Sequence, residues 1–118
     1  MLKKVILATL ASGTIVSAAF AAVVPGTGLY EEQLARQEER LIIATPIAGI
    51  ENRYWFNYRT NVVETKKELA SDLRRASDTE DLRDAWDEYR VELADQRQNY
   101  IKKMAKRGYR YGEVRIDY

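Results

Sequence analysis

Carboxylates are the main side chains in this sequence that could carry out acid–base or metal chemistry. The chain has 18 Asp and Glu residues but no histidine and no cysteine. Catalysis by a Ser-His or Cys-His pair is therefore excluded within this chain. Zinc, copper, haem and iron–sulfur sites lose their commonest ligands. What remains open is proton transfer by paired carboxylates or the binding of a hard cation by carboxylate oxygens.

The arrangement of the carboxylates does not favour either chemistry. Glu38 and Glu39 are adjacent in a helical segment, so they point to different faces of it. Four acids lie close together further on: Asp78, Glu80, Asp81 and Asp84. They lack the glycine and the bidentate glutamate of a calcium loop, and capping of a helix explains them equally well. We therefore expect no enzyme activity, no catalytic residue, no metal site and no cofactor.

Aromatic and basic side chains offer binding chemistry instead. The densest aromatic segment contains Tyr54, Trp55 and Tyr58, which suit either core packing or contact with a sugar or a client protein. A second segment combines positive charge with tyrosine: Lys102, Lys103, Lys106, Arg107, Tyr109, Arg110 and Tyr111. It suits an anionic lipid or an envelope polymer, or else a solvated helix end favoured by the helix dipole. Both segments are candidate partner-binding residues.

Residues 1–21 have the pattern of a cleavable signal peptide. Two lysines precede an uncharged run, and Ala19-Phe20-Ala21 fits the signal-peptidase site. We expect the mature chain in the bacterial periplasm or secreted, without a membrane span. The alternative is a retained anchor, because the uncharged run of about twenty residues is long enough to cross a bilayer. Cleavage changes the formal charge from +1 to about −1, which gives no reason to expect nucleic acid as a partner.

Hydrophobic periodicity predicts an all-α domain over residues 29–108, after a flexible lead-in over residues 22–28. We expect helices over 29–44, 46–76 and 79–107, followed by a tail over 109–118 that is a short strand or an extended arm. Thr45 and Pro46 suit a cap and the first position of the second helix. Ser77 with Glu80 suits a capping box for the third, although Asp78 or Thr79 could cap equally well. Gly108 suits a helix stop.

The two long helices are predicted to form an antiparallel hairpin, since a short connection joins them. The pattern Trp-x-x-Tyr-Arg occurs at Trp55 and again 31 residues later at Trp86. If facing residue numbers add up to about 155, the apolar positions form four pairs: Leu73 with Leu82, Leu69 with Trp86, Val62 with Leu93, and Trp55 with Tyr100. One continuous helix is the alternative, but the apolar stripe is interrupted after residue 76.

A hairpin leaves some apolar side chains outside its seam, and the first helix is expected to cover part of them. Apolar residues beyond its reach would then be exposed or buried against another chain, by self-association or by a protein partner. We expect a non-enzymatic structural or adaptor module of the cell envelope. The alternatives are an ATP-independent periplasmic chaperone and a module that binds glycan or peptidoglycan.

Overall fold

The structure, a computed structural model, describes residues 26–112, and over that range it is an all-α fold with no strand. Its α-helices are α1 (Tyr30–Glu39), α2 (Arg53–Arg75) and α3 (Thr79–Ala105), with a 3₁₀ turn at Ile47–Gly49 between the first two. None of the helices in this range has the length and apolar character needed to cross a membrane. The predicted signal peptide, residues 22–25 of the lead-in and residues 113–118 of the tail lie outside the described residues.

The chain reverses between α2 and α3 at the predicted position. Ala76 has extended backbone angles and ends α2. Asp78 caps α3, because its Oδ1 accepts a hydrogen bond of 2.8 Å from the backbone N–H of Asp81. The Asp81 carboxylate accepts in turn from the N–H and the hydroxyl of Ser77, both at 3.0 Å. The reciprocal pair therefore involves Asp81 and not the predicted Glu80.

The α2–α3 seam contains the predicted contact between Trp55 and Tyr100. Their ring centroids are 5.9 Å apart. The ring of Tyr58 stacks on that of Tyr100 at 4.9 Å and 11°, and Gln96 donates to the hydroxyl of Thr65 at 2.7 Å. Val62, Leu69, Trp86 and Leu93 from the predicted pairs are all buried. The hydrophobic periodicity of the sequence therefore identified these buried positions on both long helices.

Helix α1 packs against α3, so it leaves the outer face of α2 uncovered. Ala35 of α1 is fully buried. Leu41, which follows the end of α1, is 50% exposed, and Val63 on α2 is 49% exposed. The short α1 covers one side of α3, and the opposite side of α2 keeps apolar surface.

The connection between α1 and α2 is longer than predicted. Helix α1 ends at Glu39 and α2 begins at Arg53, so residues 40–52 are not α-helical. Ala48 and Gly49 have φ values of 56° and 70°, which an α-helix does not accommodate. The cap of α2 is Asn52, whose side-chain oxygen accepts from the N–H groups of Tyr54 and Trp55 at 3.1 Å. The expected helix start at Thr45–Pro46 is therefore wrong: α2 begins at Arg53, about two turns later.

Two buried tyrosines hold this connection through its backbone. The hydroxyl of Tyr58 accepts from the N–H of Ile43 at 2.9 Å, and the hydroxyl of Tyr100 accepts from the N–H of Ile47 at 3.0 Å. Burial raises the pKa of both phenols. Ile43 and Ile47 are themselves buried in the core. The connection is therefore anchored to one residue of each long helix.

Gly108 ends α3, as predicted. It has a φ of 88°, and its N–H donates to the carbonyl of Ala105 at 3.0 Å. The N–H of Tyr109 donates to the carbonyl of Met104, also at 3.0 Å, which completes a Schellman motif. Residues 111 and 112 then form a turn, so the described part of the tail contains no strand.

Candidate anion-binding site

A cluster of cationic side chains lies at the open end of the hairpin, where the start of α2 meets the end of α3. Because the helices are antiparallel, Tyr54 in the first turn of α2 faces Lys103 and Arg107 near the end of α3. Arg53 precedes Tyr54 and joins the group. We call Arg53, Tyr54, Lys103 and Arg107 the basic cluster. It unites one member of the predicted aromatic segment with two members of the predicted basic segment.

The ring of Tyr54 is the centre of the basic cluster. The guanidinium carbon of Arg107 lies 4.1 Å from the ring centroid, that of Arg53 lies 5.0 Å away, and the ammonium nitrogen of Lys103 lies 5.7 Å away. These distances are typical of cation–π contacts. Both arginines also donate hydrogen bonds to the Tyr54 hydroxyl. Arg107 donates a further bond of 3.0 Å to the Lys103 carbonyl, so its guanidinium is fixed on two sides.

The basic cluster has an excess of positive charge. The hydrogen bond from Arg53 and the charges of Arg107 and Lys103 lower the pKa of the Tyr54 hydroxyl. Within residues 26–112, none of these three cations forms an ion pair with a carboxylate. The ion pairs of that range use other arginines: Arg36, Arg75, Arg83, Arg90 and Arg97. An anion placed at the cluster would therefore meet positive charge that is already positioned and that has no ion-pair partner within residues 26–112.

The remaining predicted binding residues fall into two groups. Trp55 and Tyr58 are each only 3% exposed, so the structure places them in the core, which is the packing alternative for the aromatic segment. The others lie at or near the surface around the end of α3: Lys102, Lys106, Tyr109, Arg110 and Tyr111, of which Tyr109 is half-buried. Those exposed cations extend the positive charge around the basic cluster.

Arg53 is a site residue that the sequence analysis missed. The expected helix start at residue 46 would have placed Arg53 two turns inside the helix, whereas it lies at the first position of α2. Asn52 was the available signal, because asparagine is a preferred N-cap and its presence could have placed Arg53 and Tyr54 at the helix start.

A group of three carboxylates lies on the α2–α3 seam, closer than the basic cluster to the turn between the two helices. Oxygens of Glu68, Glu88 and Glu92 all lie within 4.8 Å of one another. Burial, followed by the charges of Glu68 and Glu88, raises the pKa of the Glu92 carboxyl. No local sequence pattern indicates this group, because its members are separated by up to 24 residues and only the hairpin brings them together. Their mutual repulsion opposes folding at neutral pH.

Glu92→Gln is expected to increase the free energy of unfolding at pH 7 by about 0.5 kcal/mol, a value reduced for solvent screening. Because the folded-state pKa is raised, ionised Glu92 destabilises the fold above that pKa. The gain in the free energy of unfolding should therefore disappear as the pH falls below the pKa of Glu92 in the unfolded state, because the carboxyl is then protonated in both states. Urea unfolding followed by circular dichroism at pH 7 and about pH 4 measures both effects.

Glu64→Gln provides the control, since Glu64 is exposed on α2 and is not part of the carboxylate group. Its effect on the free energy of unfolding should be smaller at both pH values. A Glu92→Gln variant no more stable than its parent at pH 7 would show that the repulsion is negligible.

Comparisons of the chain with protein-family profiles, with curated proteins and with solved structures found no match. Its function is therefore inferred from the geometry of its own side chains. The basic cluster presents fixed donors and positive charge, which suit the binding of carboxylate or phosphate groups.

Proposed function

We propose that this chain is a non-catalytic, exported helical adaptor of the bacterial cell envelope whose basic cluster binds an anionic partner. The observation that carries the proposal is the convergence of Arg53, Lys103 and Arg107 on the single ring of Tyr54, without a carboxylate partner in residues 26–112. The signal-peptide pattern of residues 1–21 supports export. The absence of histidine and cysteine from the sequence argues against most catalysis.

Preorganisation of the cations supports a binding role. A flexible arginine loses conformational entropy when it binds a ligand, which reduces affinity. Arg107 has lost much of this freedom already, because it stacks on Tyr54 and donates to the Lys103 carbonyl. The two long helices fix the relative positions of its neighbours. An incoming anion would therefore find several donors in place.

Replacing three cations of the basic cluster tests the proposal. The triple variant Arg53→Gln, Lys103→Gln, Arg107→Gln should bind immobilised polygalacturonate or polyglutamate about tenfold or more weakly than the parent. Three exposed charge contacts of the usual strength account for this loss. Binding of the parent should also weaken as NaCl is raised, because the contacts are exposed to solvent. Retention on each polymer at two salt concentrations measures both effects.

The matched control removes three cations from another part of α2. The variant Lys66→Gln, Lys67→Gln, Arg74→Gln changes the net charge by the same amount, and these residues are not part of the basic cluster. It should retain most of the parental affinity. Equal losses of affinity in the two triple variants would show that net charge alone determines binding. A parent that binds neither polymer, nor vesicles of anionic phospholipid, would refute the proposed function.

The uncovered face of α2 favours a second candidate, the ATP-independent chaperone. Phe56 and Val63 lie seven residues apart on α2, and each is 49% exposed. A client protein with exposed apolar segments could be held on this face. The test is suppression of the aggregation of an unrelated client at near-equimolar ratio, which Phe56→Ser with Val63→Ser should abolish if the face binds clients.

A further inference from the structure

A shallow groove continues from the basic cluster along the α2–α3 seam. Tyr54 and Lys103 lie at its edge. Carboxamides from both helices line it: Asn57, Asn61, Gln96 and Asn99. The buried rings of Tyr58 and Tyr100 lie beneath them. The three asparagines are exposed on their helices. The groove therefore presents neutral hydrogen-bonding groups next to a positively charged end.

The asparagines of this chain are concentrated in the groove. The sequence contains four, and Asn52 is occupied as the cap of α2. The other three all line the groove, at positions in helix interiors. Asparagine is a poor helix former, so helix stability does not explain its use at three exposed positions. A requirement for carboxamides on this surface does explain it.

The spacing along the groove suits a repeating ligand. Asn57 and Asn61 are four residues apart on α2, and Asn99 and Lys103 are four apart on α3. Residues at this spacing share a helix face and are separated by about 6 Å along the axis. Each wall of the groove therefore carries two polar side chains about one helical turn apart, which suits contacts with successive units of an extended ligand.

Carboxamides match hydroxyl groups in their hydrogen bonding. Each carboxamide supplies two donors and an acceptor without charge, and a sugar hydroxyl both donates and accepts. Gln96 donates to Thr65 at 2.7 Å and its Oε1 is buried, so its carboxamide belongs to the floor of the groove. The accessible carboxamides are those of Asn57, Asn61 and Asn99. Lipid headgroups at a membrane would instead favour apolar side chains beside the cations, but the groove is lined by amides.

We infer that the anionic partner is an acidic polysaccharide, whose carboxylate or phosphate groups meet the basic cluster and whose hydroxyls meet the carboxamides of the groove. This inference rests on the proposed function, because it assigns a ligand class to the same site. Tyr54 positions Arg107 and does not stack on the ligand, because the Arg107 guanidinium covers the ring face on which a sugar would stack.

Replacement of the asparagines tests the ligand class. The variant Asn57→Ala, Asn61→Ala, Asn99→Ala keeps the basic cluster and should fold, because alanine is the better helix former at exposed positions. Its affinity for polygalacturonate should fall about tenfold through the lost hydrogen bonds, and its affinity for polyglutamate should stay within about twofold of the parent. The control Thr60→Ala, Gln98→Ala removes exposed polar groups outside the groove and should change neither affinity.

The outcomes separate this inference from the proposed function. Equal affinity of the parent for polygalacturonate and polyglutamate, together with no effect of the asparagine variant, would overturn the polysaccharide assignment and leave an anion-binding adaptor. Tighter binding to vesicles of anionic phospholipid than to polygalacturonate would also overturn it. Failure to bind any of these probes would refute the proposed function itself.

Discussion

Replacing Trp86 with alanine is expected to lower the free energy of unfolding by about 4 kcal/mol, more than any other single substitution proposed for this protein. Trp86 is fully buried, and its ring meets Tyr89 edge-on at 6.1 Å. The guanidinium of Arg36 lies 4.8 Å from the ring centroid, so the tryptophan also joins α3 to α1. Alanine would leave a cavity at this junction. Urea unfolding followed by circular dichroism measures the loss.

Phe56→Ala is the control for the loss of a large aromatic side chain. Phe56 is half exposed on the uncovered face of α2. Its replacement should cost less than about 1 kcal/mol, because little packing is lost and alanine favours the helix. A Trp86→Ala variant as stable as Phe56→Ala would contradict the position of Trp86 in the core.

Replacing Arg97 with methionine is expected to cost about 3 kcal/mol, the second largest effect. The Nε and Nη2 atoms of Arg97 donate to one oxygen of Glu38 at 3.1 Å and 2.8 Å. The two side chains are only 17% and 15% exposed. Without Arg97, the Glu38 carboxylate stays largely removed from water with no opposite charge. Most of the loss therefore comes from the unpaired carboxylate, and urea unfolding at neutral pH measures it.

A double variant distinguishes this explanation from simple loss of packing. Adding Glu38→Leu to Arg97→Met removes the unpaired charge and should recover a substantial part of the lost stability. Arg75→Met is the surface control, because Arg75 is 71% exposed in its pair with Asp72 and should cost less than about 0.5 kcal/mol. If the double variant is less stable than Arg97→Met alone, the unpaired-charge explanation is wrong.

The hairpin could be predicted because its signals are local in the sequence. The apolar residues of each long helix recur mainly every three or four positions, and this stripe is interrupted where Ser77 and Asp78 separate the helices. Matching the two stripes placed Trp55 opposite Tyr100, which the structure confirms. Gly108 was equally recognisable, since glycine takes a positive φ at little cost.

The connection before α2 could not be derived in the same way. Thr45 and Pro46 are favourable residues for a helix start, but the positive φ values of Ala48 and Gly49 prevent a helix from continuing past them. Alanine gives no sequence signal for such a conformation, which side chains usually disfavour. Tertiary hydrogen bonds from two tyrosines to the backbone stabilise the turn, and only the assembled fold provides them.

The candidate site could be predicted in part. Tyr54, Lys103 and Arg107 were identified by residue type, but their meeting depends on the hairpin. Trp55 is adjacent to Tyr54 and of similar chemistry, yet it lies in the core, because neighbouring helix positions face different directions. The pairing of Glu38 with Arg97 depends on how α1 lies on α3, which no local pattern specifies.

The hydrogen bonds from Ile43 and Ile47 to the tyrosine hydroxyls have a consequence for the order of folding. Since one hydroxyl comes from α2 and the other from α3, the loop gains both anchors only after the two helices have docked. It should therefore be the last segment to become ordered and the first to open. Hydrogen exchange at these two amides should be at least as fast as at the buried Val62 of α2, and slower exchange would contradict this order.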